Sequence, residues 1–537
     1  MNSTMSHLSL LAHPIVTPLL AAAVVVAYHL WAYARDPYGY RALGIPGPGL
    51  AKLSDAWLVR IAAMGERSEV VHKEHLKYGP FVRIAPNHIS ISDPEALQVI
   101  YAHGNGALKS DFYDAFVSIR RTIFNTRDRA AHARKRKVVS HVFSPKNVAG
   151  FEPNVRSAMS NLFVQMDKIC SAPPGTTASI GSNQYRIKED RAWLDALPWF
   201  NYVGFDIIGD LVFGQPFGMV ENGQDSAAMA SRGDKDPTGT GDTEPIPAIG
   251  ILDERGAFSA TLGTVPLWAR SYIKMVPWFA RGNKATKNLA GIAIASVAKR
   301  LVNPTDRVDI LARLQQGKDD NEQSLGQDEL TAEALTMLIA GSDTTSISSC
   351  VAIYYLARDQ RVLRALQKEL DDALGSNEEV PWYEQLKKLR YLDACINEAL
   401  RLHATAAIGL PRVAPPGGLN ILGKHFPEGS ILSVPTYTLH RDTSIWAEDS
   451  EDYRPERWFE IDPADSQKAF NPFSLGPRGC VGRNLAMMEL SVIVAAFIRR
   501  YDIVLECPAQ PLQMKEGILR KPLGCMVGLK QRFRHEQ

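Results

Sequence analysis

The chain has 537 residues, of which 45% are hydrophobic and 22% charged, a composition typical of a globular protein large enough to enclose a sizeable cofactor. Its 60 basic and 58 acidic residues nearly cancel, so nucleic acid is not expected as a partner. The six cysteines include no CxxC pair, which argues against a disulfide framework or a zinc ribbon and favours a reducing compartment. No proline- or serine-rich linker divides the chain, and we expect one large domain behind a short leader.

The first predicted element is an apolar run over residues 15–34, interrupted by one Thr, one Pro and one His. Its length is about what a helix needs to cross roughly 30 Å of hydrocarbon, so it is predicted to be a transmembrane anchor. No Lys or Arg precedes it, whereas Arg35 and Arg41 follow. This asymmetry predicts a short lumenal N-terminus at 1–14 and a cytosolic body, in a single-pass protein of the endoplasmic reticulum membrane. A cleaved signal peptide is the alternative, although a basic segment before the apolar run is missing.

A basic and proline-rich segment, 35–50, separates this run from the body of the protein at 51–537. It contains Ile45-Pro46-Gly47-Pro48-Gly49, in which the prolines fix φ and remove backbone donors. The segment therefore reads as a stiff hinge, with a plain connector as the alternative.

Apolar periodicity within the body predicts long helices and a few short strands. Val82, Ile84, Ile89 and Ile91 alternate with polar neighbours, as expected of a hairpin. Helical spacing covers 330–357, 391–402 and 485–497, and short strand patterns cover 431–434 and 525–529. The stretch from Glu221 to Pro245 lacks periodicity and is predicted to be an exposed or disordered loop. No Gly-rich phosphate loop follows a strand, so the chain itself is not expected to bind a nicotinamide or a flavin.

One cysteine stands in a specific motif. Residues 473–482 read Phe-Ser-Leu-Gly-Pro-Arg-Gly-Cys-Val-Gly and match F-x-x-G-x-R-x-C-x-G at every specified place. The segment resembles the haem-binding loop of the cytochrome P-450 superfamily, and the resemblance implies that Cys480 is the axial ligand of haem b. The loop glycines let backbone amides face the sulfur, and a helix starting near Gly482 would direct its positive end at the thiolate. The remaining five cysteines are interpreted as small buried hydrophobes: Cys170, Cys350, Cys395, Cys507 and Cys525.

The resemblance also implies a fold, namely a single large helical domain enclosing haem, mainly α with small β-sheets (α+β). Within the longest predicted helix, Ala340-Gly341-Ser342-Asp343-Thr344-Thr345 resembles the family's distal oxygen-activation site. Ala340 and Thr344 are four residues apart and share a face, which leaves room for O₂ beside the Thr344 hydroxyl. Asp343 would relay protons from solvent. A polar helix kink is the alternative interpretation.

Two further groups of residues acquire roles from the resemblance. Glu398 and Arg401 lie on one helical face, and with Arg457 they are assigned a structural role behind the haem. His132, Arg136, Arg412 and Arg478 are assigned to the haem propionates, although His132 stands where the superfamily often has tryptophan. The cations around His132 are expected to stay in solvent and to suit docking of an acidic reductase surface. These neighbouring cations are Arg129, Arg134, Lys135 and Lys137.

Several long segments look like the fungal benzoate para-hydroxylases, namely 107–116, 124–144, 193–219 and 517–524. Departures occur over 221–245 and 120–122. Because benzoate is an anion, its carboxylate needs a cation or several donors away from iron, and its ring needs apolar walls. The candidate polar contacts are Lys109, Ser110, Tyr113, Arg120 and Arg121. The candidate walls are Ala340, Ile408, Leu410 and Leu519.

The resulting hypothesis is an NADPH- and O₂-dependent monooxygenase that receives electrons from a separate flavoprotein reductase. It would hydroxylate benzoate or a related aromatic acid, and NADPH and flavins would act only through the reductase. A hydroxylase of a larger aromatic or polyketide-type metabolite is the alternative. A haem-thiolate isomerase or dehydratase and a non-enzymatic haem binder are further alternatives, which the Asp343–Thr344 pair disfavours.

Overall fold

The structure of the protein is a computed structural model, which describes residues 16–230, 243–303, 309–318, 323–375 and 378–532. The α-helices are α1 (Val16–Arg35), α2 (Gly49–Leu53), α3 (Ala56–Met64), α4 (Arg67–Tyr78), α5 (Pro94–Tyr101), α6 (Arg129–Ser140), α7 (Pro145–Ala149), α8 (Glu152–Cys170), α9 (Ala196–Phe213), α10 (Met219–Asn222), α11 (Ala248–Thr264), α12 (Leu267–Ile273), α13 (Pro277–Val302), α14 (Ile310–Gln316), α15 (Gln327–Arg358), α16 (Gln360–Ala373), α17 (Tyr383–Leu386), α18 (Arg390–Leu402), α19 (Thr436–Leu439), α20 (Thr443–Trp446), α21 (Arg457–Glu460), α22 (Pro463–Ala469) and α23 (Arg483–Arg500). Short 3₁₀ helices occur at Asp111–Phe116 and Gly476–Arg478.

The strands form two five-stranded sheets and three hairpins. They are β1 (Phe81–Ala85), β2 (His88–Ile91), β3 (Leu108–Lys109), β4 (Thr177–Ile180), β5 (Asn183–Lys188), β6 (Arg191–Asp195), β7 (Ala227–Ala230), β8 (Thr243–Ile246), β9 (Arg412–Val413), β10 (Leu419–Ile421), β11 (Lys424–Phe426), β12 (Ile431–Ser433), β13 (Tyr501–Leu505), β14 (Met514–Glu516), β15 (Arg520–Pro522) and β16 (Met526–Gln531). The first sheet has the order β1-β2-β12-β9-β3 and the second the order β13-β16-β6-β5-β4. The prediction of a mainly α fold with small sheets is confirmed.

The strongly periodic segments form the elements that their patterns predict. β1 and β2 pair antiparallel, with Phe81 opposite Ile91, and β12 joins β2 in parallel. The three predicted helices correspond to α15, α18 and α23, each longer than its apolar repeat by a few residues. Apart from Ile498, the extensions are polar or charged end residues, which an apolar pattern does not register.

The N-terminal prediction is only partly met. Residues 16–35 form helix α1, and the predicted lumenal segment and Ile15 lie outside the described residues. None of the helices in the described part of the chain is long and apolar enough to cross a membrane, so the predicted transmembrane anchor is not supported. The location at the endoplasmic reticulum stays a prediction.

The proline-rich segment packs against the body of the protein. The Pro46 carbonyl oxygen accepts a hydrogen bond from the Arg83 N–H in β1, at 2.7 Å. A Cβ at Gly47 would lie 2.4 Å from the Arg83 carbonyl oxygen, so only glycine fits at this close approach. These backbone contacts attach the segment to the sheet, and its role as a stiff hinge stays a prediction.

Two other predictions need correction. Within the predicted loop from Glu221 to Pro245, Ala227 lies opposite Ile246 in an antiparallel hairpin of β7 and β8, and 231–242 lie outside the described residues. The strands were missed because three alanines and one proline make up half of their eight residues. Among the cysteines interpreted as buried, Cys507 is exposed and Cys170 half-buried, whereas Cys350, Cys395 and Cys525 are buried.

Helix α15 runs through the main hydrophobic core and packs most closely on α9. Its mid-helix hydroxyls bond back to carbonyl oxygens one turn earlier, Ser342 to Leu338 at 2.7 Å and Ser346 to Ser342 at 2.6 Å. A Cβ at Gly204 of α9 would lie 2.3 Å from the Ser346 Oγ and 2.7 Å from the Ser342 carbonyl oxygen. Glycine and serine at this crossing therefore set how closely the two helices approach.

Gly204→Ala is expected to lower the free energy of unfolding by about 1–3 kcal/mol, because the added methyl group overlaps α15. Gly250→Ala is the control, since a Cβ at this glycine of α11 would meet its nearest atom, a carboxylate oxygen of Asp225, at 4.0 Å. The free energy of unfolding of this control should rise by up to about 1 kcal/mol, because alanine has a higher helix propensity than glycine. Chemical denaturation, followed by circular dichroism, measures the free energy of unfolding of both variants. Equal stability of the two variants would contradict the close crossing of α9 and α15.

Candidate functional site

The motif around Cys480 forms a tight loop that ends at the start of α23. Gly476 has a φ of +69°, and a Cβ there would lie 2.0 Å from the Tyr101 carbonyl oxygen. The Cys480 N–H donates to the Phe473 carbonyl oxygen at 2.8 Å, which closes the loop. Gly482 is the N-cap of α23, so this helix begins where its pattern predicted. The first glycine of the motif is thus required by both conformation and space.

The Cys480 side chain is accessible to solvent although protein surrounds it. Burial raises the pKa of its thiol, and the backbone N–H of Gly482 together with the charges of Arg136 and Arg483 opposes this rise. These donors and cations are the groups that stabilise a thiolate. A thiolate ligand for iron therefore fits the loop.

The residues assigned to the haem propionates come together next to the Cys480 loop. Arg136 of α6 donates to the Gly479 carbonyl oxygen at 2.7 Å, and Arg478 donates to the Thr126 carbonyl oxygen at 2.6 Å. Arg412 of β9 donates to the Tyr113 hydroxyl at 2.7 Å. The Lys109 ammonium joins this cation cluster, where it donates to the Phe124 carbonyl oxygen.

Positive charge in this cluster is not balanced by protein carboxylates. Burial, and after it the charges of Arg478, Lys109, Arg136 and Arg412, lower the pKa of His132 to about 3. Lys109 and Arg412 are direct partners across β3 and β9, an unfavourable position for like charges. Within the described ranges, no carboxylate forms an ion pair with any of these five residues. Two propionates would supply the missing negative charge, so the cluster fits haem.

The cations beside His132 are less solvated than predicted. Lys135 is 4% exposed, and its ammonium forms ion pairs with Glu329 and Glu333 of α15, the latter at 3.3 Å. Arg134 also pairs with Glu329. The expectation that these two cations stay in solvent is therefore wrong, because the sequence pattern does not show that acidic residues of α15 face α6.

The predicted catalytic pair lies midway along α15. Thr344 donates its hydroxyl hydrogen to the Ala340 carbonyl oxygen at 2.6 Å. Ala340 is exposed, although most residues in this part of α15 are buried. Ala340 and Thr344 thus face an open space on one side, while Gly341 packs against Ile208 on the other. Asp343 is buried and ion-paired to Lys521 of β15 at 2.9 Å.

Two residues that the sequence reasoning missed complete the surroundings of Asp343. Lys521 also pairs with Asp253 of α11 at 2.7 Å, so one ammonium bridges two carboxylates from different helices. The Asp253 side chain is 45% exposed and that of Asp343 10%, which gives a path of titratable groups from solvent to α15. Lys521 lies 178 positions along the chain from Asp343, and no local pattern connects them.

The polar substrate candidates separate into buried and exposed residues. Ser110 is buried, and its Oγ accepts from the Phe112 N–H as the cap of the 3₁₀ helix. Arg120 is exposed and paired with Asp328 at 3.1 Å, and Arg121 is paired with Asp114 at 2.8 Å. The prediction that Arg120 and Arg121 face a substrate pocket is therefore wrong, because acidic partners hold both guanidinium groups outside the apolar core.

The apolar candidates lie near an aromatic cluster, which consists of Phe112, Tyr113, Phe116 and Phe124 and is packed against Ala260, Ile408 and Ile518. Ile408 is 2% exposed and belongs to this cluster. Leu410 is half-buried and packs in a neighbouring cluster, with its carbonyl oxygen bonded to the Tyr101 hydroxyl. Leu519 is half-buried, and its neighbour Ile518 makes the contact with the aromatic residues.

The predicted scaffold residues form a fully buried ion-pair network. Arg401 binds Glu398 through two bonds of 2.9 Å, and Arg457 binds the same carboxylate at 2.9 Å. Their remaining donors reach backbone carbonyl oxygens, including those of His440 and Asp449. The network joins α18 to α21, and its place behind the haem stays a prediction.

Comparisons with known proteins agree with this geometry. The cytochrome P-450 family model matches residues 56–529. The chain is 46% identical over 523 residues to benzoate 4-monooxygenase bphA of Aspergillus niger, covering 96% of this chain and 97% of that protein. It is also 30% identical to the cytochrome P-450 monooxygenase gsfF of Penicillium aethiopicum, over 90% of this chain and 92% of that protein. With the thiolate loop, the cation cluster and the α15 motif in place, the chain belongs to the cytochrome P-450 family.

Proposed function

We propose that this protein is a haem-thiolate monooxygenase that hydroxylates benzoate, or a closely related aromatic acid, para to its carboxylate. The observation that carries the proposal is the 46% identity to a benzoate 4-monooxygenase over 96% of the chain. In this reaction a ring C–H becomes C–OH, the second oxygen atom of O₂ leaves as water, and NADPH supplies two electrons through a flavoprotein reductase. Haem iron bound by the Cys480 thiolate would supply the activation of O₂.

The protein's own residues position that chemistry. The donors around Cys480 favour the thiolate, and the cation cluster of Arg136, Arg412, Arg478 and Lys109, together with the neutral His132, would hold the propionates. The open face at Ala340 and Thr344 leaves space on the opposite side of α15 from the contact with α9. The Asp253–Lys521–Asp343 chain supports a proton path from solvent to the Thr344 hydroxyl.

Cys480→Ala is expected to abolish activity and haem retention, because a methyl group cannot ligate iron. The measurements are the haem content and the red-shifted Soret band of the reduced, CO-treated protein. Cys507→Ala is the matched control, since that cysteine is exposed and should leave both unchanged. A normal thiolate-type spectrum of the Cys480 variant would contradict the assignment.

Thr344→Ala is expected to retain haem and substrate but to lower product formed per NADPH consumed by roughly tenfold or more, with the electrons diverted to hydrogen peroxide. Thr336→Ala is the control, because Thr336 lies in the same helix and bonds back to the Ala332 carbonyl oxygen at 3.1 Å. If the wild type and the Thr344 variant form the same amount of product per NADPH consumed, this hydroxyl has no role in the mechanism.

The substrate is tested with purified protein, reductase and NADPH on a panel of benzoate, 4-methylbenzoate, naphthoates and larger aromatic compounds. We expect benzoate to shift the Soret band and to yield the para-hydroxylated acid, identified by mass and magnetic resonance spectra. 4-Methylbenzoate blocks the para position and should not give a ring-hydroxylated para product. If benzoate causes no spectral shift at millimolar concentration and a bulky aromatic does, the alternative of a larger substrate holds instead.

A further inference from the structure

A cavity of about 110 Å³ lies between the start of α4, strand β2, the 3₁₀ helix and the end of α11. Its walls include Arg67, His88, Ser110, Phe112 and Thr264. Phe112 belongs both to this cavity and to the aromatic cluster that contains Ile408. The cavity is therefore adjacent to the predicted wall of the substrate pocket.

The unusual group in this cavity is the guanidinium of Arg67, the first residue of α4. Arg67 is 5% exposed, and its Nη1 is buried without a hydrogen-bond partner. Over the described residues, its side chain takes part in no hydrogen bond and no ion pair, and its only ring contact is with Phe112 at 5.7 Å. Burial lowers its pKa to about 10, which leaves it charged at neutral pH. A buried arginine with unused donors costs stability, unless a ligand satisfies them.

Over the described residues, no ion pair joins Arg67 to the acidic group whose charge acts on it. Glu516 faces Arg67, but its carboxylate accepts from the Ser68 N–H at 2.7 Å and from the Ser68 hydroxyl. It thereby caps the positive end of α4 and offers no ion pair to the neighbouring arginine. The planar fork of Arg67 remains available for a second carboxylate.

The other charged groups of the cavity are accounted for. Arg270 pairs with Asp111 at 3.1 Å, and the His88 Nε2 bonds to the Ser433 Oγ at 2.8 Å. Burial and the Arg67 charge lower the pKa of His88 well below its usual value, so it is neutral. Asp55 also lines the cavity, and burial raises the pKa of its carboxyl group, which favours the neutral form.

We propose that Arg67 binds the carboxylate of the aromatic acid substrate, with the ring packed against Phe112 and its aromatic neighbours. The proposal rests on the proposed benzoate hydroxylation and names the residue that selects an acid. The three sequence-predicted cations fit less well, because Arg120 is exposed, Arg121 is paired with Asp114, and Lys109 belongs to the cation cluster near Cys480. A bidentate guanidinium–carboxylate pair would satisfy the donors that the protein leaves unused.

The test measures dissociation constants from Soret shifts for benzoate and for benzamide, its neutral analogue. Arg67→Met keeps much of the length of the side chain and removes the charge. We expect it to weaken benzoate binding by roughly 10- to 100-fold and benzamide binding far less, because only the acid loses a charge-assisted pair. Arg67→Lys should recover part of the loss, and Arg120→Met, which alters an exposed arginine, should change neither constant.

Thermal unfolding without substrate separates binding from a structural role. Since the Arg67 side chain forms no hydrogen bond or ion pair among the described residues, Arg67→Met is expected to keep or raise the midpoint temperature, whereas loss of a structural ion pair would lower it. Equal weakening of benzoate and benzamide, or unchanged benzoate binding in Arg67→Met, overturns the proposal while the wild type still hydroxylates benzoate. If the wild type binds and hydroxylates no aromatic acid, the proposed function fails and the anchor fails with it.

Discussion

Helix α15 is the constraint on which the remainder of the site depends, because it carries polar residues through the centre of an apolar core. Its hydroxyls at Ser342, Thr344 and Ser346 bond to carbonyl oxygens one turn earlier, and that of Thr345 bonds to the buried Glu489 of α23 at 2.7 Å. Gly204 lets α9 approach one side. The other side, with Ala340 and Thr344, stays accessible to solvent, as Cys480 does.

Charge balance distinguishes the structural ion-pair network from the cluster assigned to the haem propionates. In the network of Glu398, Arg401 and Arg457, every charge has a partner at 2.9 Å and no group is left for a ligand. Around His132 and Arg478 the opposite holds, since burial and then neighbouring cations lower the pKa of both groups, and Arg478 bonds to a neutral carbonyl oxygen. A buried excess of one sign is costly in a protein alone, and it indicates where a group of the opposite sign belongs.

The same reasoning separates three cations that local sequence cannot rank as substrate anchors. Arg120 has an acidic partner and is exposed, and Lys109 lies within the propionate cluster. Arg67 is buried and has no ion-pair partner in the described part of the chain, because Glu516, the carboxylate that faces it, caps the helix that Arg67 begins. Local sequence likewise cannot identify the groups for proton delivery, because Lys521 pairs with Asp343 although the two residues lie far apart along the chain.

The sequence by itself determined the thiolate loop, the long helices and the family, because these depend on motifs and periodicity within short segments. Gly476, Cys480 and Gly482 act through backbone conformation, which is local, and α15, α18 and α23 carry strong apolar repeats. Only the tertiary structure decided which charged residues are neutralised. Lys135 meets Glu329 and Glu333, Lys521 meets Asp253 and Asp343, and Arg67 meets none within the described ranges, since pairing depends on how distant segments pack together.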